Sequence, residues 1–219
     1  MNADDLIRAV EQALGTLQAA YRGNAEESDL YEAALFSVAV GAAEGAAGTS
    51  ILTNDGRTRA LSLRFRRAPG NLWNGNFSYA LVSFASTSKQ VEVHLGVYVL
   101  GGSGVAHECD IAILDSEEAE RSRIASVHPR RTGLIAAIEA KHYHASPGIG
   151  IGRSFLGLSN ELGGNKCSLA FPAPSSASLA TLLSKKPSEC FDELVPDWPA
   201  ADRLRAHLNQ AIRNWRARA

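Results

Sequence analysis

The sequence predicts an α/β protein in which a mixed β-sheet is covered by helices. The chain begins with two segments of helical periodicity and continues with several segments rich in β-branched and aromatic residues. It then contains a strand–helix–strand unit, a crossover that pairs its two strands in parallel, whereas the preceding strands are expected to pair antiparallel. A length of 219 residues suits one substantial core, so we expect a single domain over 1–219.

Two helices are predicted at the start of the chain, at residues 4–21 and 29–44. In the first, apolar residues recur at helical spacing, as at Val10, Leu14 and Leu17, and acidic residues occupy the first turn. The second is apolar on nearly every side. A helix of that composition is expected to be buried.

The middle of the chain is predicted to be mainly strands. Residues 59–67 alternate apolar and polar side chains, which is the period of a half-exposed strand. The other segments are rich in Val, Ile, Tyr and Phe. The strands predicted in this part are 50–53, 59–67, 77–84, 90–100 and 106–114.

The predicted crossover lies in the last part of the chain, after a charged stretch at 115–132. The elements predicted in this part are a strand at 133–141, a helix at 151–162, a final strand at 166–171, and two helices at 176–184 and 200–216.

Composition excludes several classes of protein. The apolar fraction is 45% and the charged fraction 21%, which is ordinary for a globular protein. No apolar run approaches the roughly 20 residues that cross a bilayer, and the charged first 20 residues do not resemble a signal peptide. The three cysteines fit neither a disulfide framework nor a zinc site. We therefore expect a cytoplasmic protein with no membrane partner.

The net charge of −1 is unusual for a protein that binds nucleic acid by itself, because such proteins usually carry a basic excess. Positive charge is instead local, in arginine clusters at 57–67, 121–131 and 203–218. Each cluster is either a solvated face or a set of phosphate contacts around an acidic centre.

Three charged residues at the ends of apolar strands form the main candidate site. Asp110 ends one apolar segment, and Glu139 and Lys141 end the next. Buried charge is costly unless it is paired or binds a metal. Mg²⁺, or Mn²⁺, would remove the repulsion between two carboxylates, with the carbonyl of Ala140 as a further oxygen ligand. Lys141 would orient the attacking water or offset charge on the phosphorane. The alternative is a structural salt bridge in a protein without catalytic activity.

This pattern resembles the PD-(D/E)xK nuclease superfamily, in which an Asp at one strand end precedes Glu-x-Lys on the neighbouring strand. The matching residues are Asp110, Glu139 and Lys141. The resemblance implies a restriction-endonuclease-like fold over about 29–171, with an N-terminal helix and a C-terminal helical tail outside this core. It implies a Mg²⁺-dependent nuclease acting on DNA, in a defence or restriction role, with Asp110 and Glu139 on the metal and Lys141 serving the water.

The sequence departs from the superfamily pattern at Cys109, which stands where the family has Pro. The 28 residues between Asp110 and Glu139 are at the long end and imply an excursion at 115–132. The alternative function is a non-catalytic interaction protein that keeps this fold. A nuclease of near-neutral charge would reach its target through a homo-oligomer or a separate protein partner.

Two auxiliary residues are predicted beside the main site. Glu32 either adds an acid to the metal site, as in many superfamily members, or completes a capping box with Asp29 as N-cap. Arg153 lies in the glycine-rich segment 148–154, which opens a helix. That segment either favours an anion, such as a phosphate near the scissile bond, or is a tight turn with close packing.

A hairpin turn at 101–105 would place Gly96 opposite Asp110 and leave room there for a metal or phosphate. Glu92 and His94 would then share the face of Asp110 and support the site, or simply lie on an exposed sheet face. His142 and His144 follow the second strand, but no third ligand nearby completes a transition-metal site.

Overall fold

In the computed structural model, the described residues, 2–142, 145–195 and 199–218, form one mixed sheet of seven strands with helices on both faces. The sheet order follows the chain order, β1 to β7. The strands are β1 (Gly48–Thr53), β2 (Tyr79–Phe84), β3 (Gln90–Leu100), β4 (Ala106–Asp115), β5 (Leu134–Ala140), β6 (Cys167–Ala170) and β7 (Glu189–Phe191). Neighbours from β1 to β5 pair antiparallel, and β5, β6 and β7 pair in parallel. The predicted class, a mixed α/β sheet flanked by helices, is confirmed.

The helices divide into two layers. The helices are α1 (Ala3–Leu14), α2 (Ala19–Asn24), α3 (Glu27–Gly45), α4 (Ser116–Ala125), α5 (Ile149–Leu162), α6 (Ala177–Leu183) and α7 (Pro199–Arg216), with a 3-10 turn at Gly164–Lys166. Buried residues of α1, α3 and α7 share one core with the sheet. Buried residues of α4, α5 and α6 form a second core with other residues of the strands. Helix α3 lies centrally in the first core, as its all-apolar composition predicts.

In the middle of β3, the alternation of side chains between the two faces of the sheet is shifted by one residue, which we call the face exchange. Val93 and Leu95 belong to the α3 core, whereas Val97 and Val99 belong to the second core. Simple alternation would put all four side chains on one face. Gly96 lies between the two pairs with φ 62°, a backbone conformation that favours glycine. The irregular backbone at Gly96 therefore allows one strand to serve both cores.

The first predicted helix, 4–21, is wrong in its length, because the chain breaks into α1 and α2. Gly15 caps α1 with φ 110°. Leu17 then leaves the helical path and forms an isolated bridge with Leu63, and its N–H donates to a carboxylate oxygen of Glu11. The apolar spacing that includes Leu17 reflects burial in the same core, not one continuous helix.

The predicted strand at 59–67 is also wrong. This segment forms only isolated bridges, from Arg59 to Thr53 and from Leu63 to Leu17. Its alternation arises because Leu63 and Phe65 enter the core, although the segment does not pair along a strand. Alternating burial does not require a ladder of hydrogen bonds.

The final strand–helix–strand unit agrees with the prediction, with one addition. Strands β5 and β6 flank α5 and pair in parallel, as expected for a crossover. The strand predicted at 166–171 is not the last, because β7 pairs with β6 beyond α6. The charged stretch 115–132 contains α4. Within the described part of the chain, no helix is both long and apolar enough to cross a membrane.

A matched pair of leucines tests the central position of α3. Leu35 is fully buried on α3, and Leu61 is 99% exposed. Leu35→Ala should lower the free energy of unfolding by about 2–5 kcal/mol, because it removes buried methyl groups and leaves a cavity. Leu61→Ala should change it by less than about 0.5 kcal/mol. Urea denaturation of both variants measures the difference, and equal effects would contradict this packing.

Candidate functional site

The pairing of β4 with β5 brings the three predicted residues together, although Asp110 lies in the middle of β4 and not at the end of a strand as predicted. Ile111 pairs with Ile138 in an antiparallel register, so Asp110 lies beside Glu139. Lys141 follows the end of β5, and its N–H donates to the carbonyl of Ala170 at 2.9 Å. That bond continues the β5–β6 pairing by one residue and fixes the backbone of Lys141.

The side chains of Asp110, Glu139 and Lys141 meet there. Lys141 Nζ lies 2.7 Å from Glu139 Oε1 and 4.0 Å from Asp110 Oδ2. Asp110 Oδ2 also accepts a hydrogen bond from the N–H of Ala140 at 2.7 Å. Both carboxylates therefore lie within 4.0 Å of one cationic nitrogen. The contact of Ala140 with Asp110 is made through its amide, and the metal-binding role of its carbonyl stays a prediction.

The face exchange at Gly96 extends to β4 and determines where Asp110 lies. On β4, Cys109 belongs to the second core and Ile111 to the α3 core. Asp110 lies between them, at the point where the side chains change faces. On β5, Ile138 and Ala140 both face the α3 core, so alternation directs Glu139 toward the other layer. The two carboxylates meet where the β4–β5 pairing ends and not on one flat face of the sheet.

Burial and mutual repulsion make the acids of this site weaker than usual. Asp110 is 5% exposed, and burial and the charge of Glu139 raise its pKa to about 7 despite the opposing effects of Lys141 and the Ala140 amide. Burial, followed by the charge of Asp110, raises the pKa of Glu32 to about 8. Burial and the charge of Glu139 raise the pKa of Glu108 as well. Burial is the largest cause for all three acids, and repulsion between neighbouring carboxylates adds to it.

Glu32 belongs electrostatically to this cluster, and the capping-box interpretation is wrong. Helix α3 begins at Glu27, with Glu26 as N-cap and Asp29 at the third position. Asp29 Oδ2 accepts from the N–H of Glu26 at 2.9 Å, so the capping box lies one turn earlier than predicted. Glu32 is left near Asp110, whose charge acts on its pKa.

Arg153 is not joined to the three-residue cluster by any contact of its side chain. It is exposed near the start of α5 and takes part in no hydrogen bond or ion pair within the described residues. A Cβ at Gly152 would lie 2.5 Å from a methyl carbon of Leu179 and 2.8 Å from one of Leu182. That glycine is needed for close packing of α5 on α6, which favours the packing interpretation of segment 148–154. A phosphate contact by Arg153 stays a prediction.

The space expected beside Gly96 is occupied by a side chain. The register places Gly96 opposite Asp110, as predicted, since Leu95 pairs with Ile111 and Val97 with Cys109. A Cβ at Gly96 would lie 3.3 Å from Cβ of Arg66. The prediction that Gly96 leaves room for a metal or phosphate is therefore wrong, because Arg66 packs over this position.

Glu92 and His94 do not face Asp110, because the face exchange separates them from it. His94 Nε2 lies 2.7 Å from Glu92 Oε2, the guanidinium of Arg123 donates two hydrogen bonds to the same carboxylate, and Tyr79 stacks on the imidazole. Burial alone would raise the pKa of Glu92, but the bonds from Arg123 and His94 lower it to about 2. Sequence reasoning missed this buried ion pair. The arginine on α4 follows its partner by 31 residues, and no local spacing signals it.

Of the two histidines predicted after β5, His142 lies against an aromatic ring of α3. The ring of His142 lies 5.3 Å from that of Tyr31 on α3. His144 lies outside the described residues. Over 2–142, 145–195 and 199–218, no group of three or more His, Cys, Asp or Glu side chains is arranged to hold a metal ion.

We found no match to this chain among protein-family models, curated proteins or solved structures.

The raised pKa values predict a pH-dependent stability. In the unfolded chain, Asp and Glu release their protons near pH 4. In the folded chain, Asp110 and Glu32 keep theirs to about pH 7 and 8. Folded stability contributed by these two groups is therefore lost as pH rises from about 4 to about 8.

Asp110→Asn removes one of these acids and leaves the Glu139–Lys141 pair in place. We expect it to raise the free energy of unfolding at pH 8 by roughly 1–3 kcal/mol relative to wild type, and by much less at pH 5. Urea denaturation at both pH values measures this. Asp4→Asn, at an exposed position of α1, is the control. An equal effect of Asp110→Asn at both pH values would contradict the electrostatic account.

Proposed function

We propose that the protein is a Mg²⁺-dependent nuclease, also active with Mn²⁺, that hydrolyses phosphodiester bonds in DNA. One observation carries the proposal: two carboxylates from neighbouring strands, one of them buried, lie within 4.0 Å of a single ammonium nitrogen. We also propose a fold of the restriction-endonuclease type and a role in defence or restriction. Both rest on the resemblance of Asp110, Glu139 and Lys141 to the superfamily pattern.

The charge balance of the site supports a divalent cation. Asp110, Glu139 and Lys141 together carry one net negative charge when all are ionised, and Glu32 and Glu108 add more. Burial is the largest cause of the raised pKa values of Asp110, Glu32 and Glu108, and repulsion from neighbouring carboxylates adds to it. A hard divalent cation bound by oxygen would remove that repulsion more fully than one ammonium group.

The residues present offer the chemistry that such an ion needs. Carboxylate oxygens of Asp110 and Glu139, with the carbonyl of Ala140, would hold the cation, and water would supply its other ligands. When bound, Mg²⁺ supplies Lewis-acid stabilisation of the phosphoryl oxygens and lowers the pKa of water. Lys141, released from its bridging position, would hold the attacking water and stabilise negative charge that develops on the phosphorus centre.

Glu32 is proposed as an auxiliary acid. Its carboxyl group approaches the site from α3, a different element from the two strands. With a pKa of about 8 it keeps a proton at neutral pH in the absence of a cation. Binding of a divalent ion would favour its ionised form, so Glu32 could either hold a water of the ion or accept a proton from it.

The cleavage assay tests the proposal directly. Wild-type protein should cut plasmid DNA in the presence of Mg²⁺ or Mn²⁺ and not in EDTA. Glu139→Gln and Lys141→Ala should each lower the rate by about 100-fold or more, because each removes a group that acts on the reacting atoms. Glu32→Gln should lower it by a smaller factor.

Glu117→Gln and Lys185→Ala are matched controls, since both residues are exposed and lie outside the site. They should cut at the wild-type rate. Cleavage that persists in Glu139→Gln would contradict the proposed site. No cleavage of DNA or RNA by wild type, with no metal binding by calorimetry, would favour the alternative, a non-catalytic interaction protein.

Metal binding should also appear as stability. A ligand that binds only the folded chain raises the free energy of unfolding by about 2.7 kcal/mol at a concentration 100 times its Kd. Mg²⁺ should therefore stabilise the wild type at pH 8 and have little effect on Asp110→Asn, in which one ligand is lost. Thermal denaturation with and without Mg²⁺ measures both. Equal stabilisation of the two proteins would place the ion elsewhere.

A further inference from the structure

A basic groove lies beside the acidic cluster. We call it the arginine groove. It has a volume of about 660 Å³ and lies between α2, the irregular segment 64–77 and the end of β3. Its principal lining residues are Arg64, Arg66, Arg67, Phe77 and Tyr98.

The arginine groove contrasts in charge with the chain as a whole. Three arginines line it and none of its lining residues is acidic, although the net charge of the chain is −1. Arg64 and Arg67 are exposed. A concave surface that carries one sign of charge attracts ligands of the opposite sign.

Arg66 is a buried arginine without a counter-charge. It is 6% exposed, and its guanidinium forms no ion pair within the described residues. Its Nε is buried without a hydrogen-bond partner. The other buried Asp, Glu, Lys and Arg residues of the described chain each have a group of opposite charge within 4.0 Å, namely Glu92, Asp110 and Glu118. A buried cation without a counter-charge is costly, so Arg66 is suited to an anion that the protein does not itself supply.

The groove holds its arginines in place before any ligand binds. Arg66 Nη2 donates to the carbonyl of Asn71 at 2.8 Å and to that of Asn74 at 3.3 Å. The guanidinium carbons of Arg66 and Arg64 lie 4.3 Å and 4.9 Å from the ring centre of Phe77. These contacts keep part of each guanidinium fixed, which reduces the entropy lost when an anion binds.

The groove leads to the acidic cluster. Tyr98 on β3 pairs with Glu108 on β4, two residues before Asp110. Near the start of α3, the charge of Arg67 lowers the pKa of Asp29, and the charge of Asp29 raises that of Glu32. Tyr98 of the groove is therefore the strand partner of an acid of the cluster, and Asp29 lies close enough to both Arg67 and Glu32 for charge interactions.

We propose that the arginine groove binds a single-stranded segment of nucleic acid, with backbone phosphates at Arg64, Arg66 and Arg67, and directs it to the acidic cluster. The inference rests on the proposed nuclease function and names its substrate class. Cleavage then occurs in single-stranded DNA or RNA, or in an unpaired segment of a duplex.

The recessed position of Arg66 favours a single strand over a duplex. A duplex presents its phosphates on a wide convex surface, whereas Arg66 is reached only by a group that enters the groove. A recess of this volume is of the size that takes a small ligand, such as one or two nucleotides. Arginines combined with aromatic side chains, here Phe77 and Tyr98, are typical of sites that bind unstacked strands.

The test measures binding in EDTA, where cleavage does not occur. Fluorescence anisotropy of labelled 20-nucleotide dT and U strands, and of a duplex of the same length, is followed as salt is varied. Wild type should bind a single strand more tightly than the duplex. Arg64→Gln/Arg67→Gln should weaken single-strand binding by roughly tenfold or more and reduce the salt slope by about 1.4, which corresponds to two lost phosphate contacts.

Arg57→Gln/Arg59→Gln is the matched control, because it removes two exposed arginines of the neighbouring segment outside the groove. It should bind as wild type does. Arg66→Gln should also weaken binding, with circular dichroism to verify folding. Tighter binding of the duplex, no binding of either strand, or equal losses in the two double variants would each overturn the inference.

Failure of this inference can be distinguished from failure of the proposed function. Single-strand binding that depends on Arg64 and Arg67, without cleavage in Mg²⁺, would support the groove and contradict the nuclease. Cleavage that needs Glu139 but is unaffected by Arg64→Gln/Arg67→Gln on every substrate would support the nuclease and contradict the groove. The dT and U strands separate DNA from RNA as the bound polymer.

Discussion

The approach of Asp110 and Glu139 to the ammonium group of Lys141 is the interaction on which the rest of the candidate site depends. The two carboxylates repel each other, and the lysine offsets part of that repulsion. Burial, followed by the charge of a neighbouring acid, raises the pKa values of Asp110 and Glu32. These two acids are therefore costly to ionise in the folded chain, and a bound cation would lower that cost.

The backbone at Gly96 makes this arrangement compatible with the sheet. Because β3 and β4 exchange faces there, Asp110 can lie near Glu32 on the α3 side and still reach the end of β5. The same exchange places Glu92 and His94 in a separate buried network with Arg123. One irregular residue thus divides the polar side chains of the sheet into two sites with different chemistry.

The sequence predicts those features that depend on local pattern. Strands β3, β4 and β5 and helix α5 follow from composition and periodicity, and Asp110, Glu139 and Lys141 stand out because charge is unusual in apolar segments. The positive φ of Gly96 depends on long-range packing. A single glycine in a strand segment does not reveal such packing from the sequence. Residues 59–67 alternate because two of their side chains enter the core, a cause that periodicity cannot distinguish from strand pairing.

The near-neutral net charge of the chain is not an argument against a nucleic-acid substrate once the distribution of charge is considered. Three arginines line one groove and the acids gather beside it. Under the proposed function, a polyanionic strand is attracted to the arginines but repelled by Asp110 and Glu139. A divalent cation reverses the second effect, so metal and strand should each raise the affinity for the other by the same factor. A single average charge would hide this coupling, because the two surfaces largely cancel in the sum.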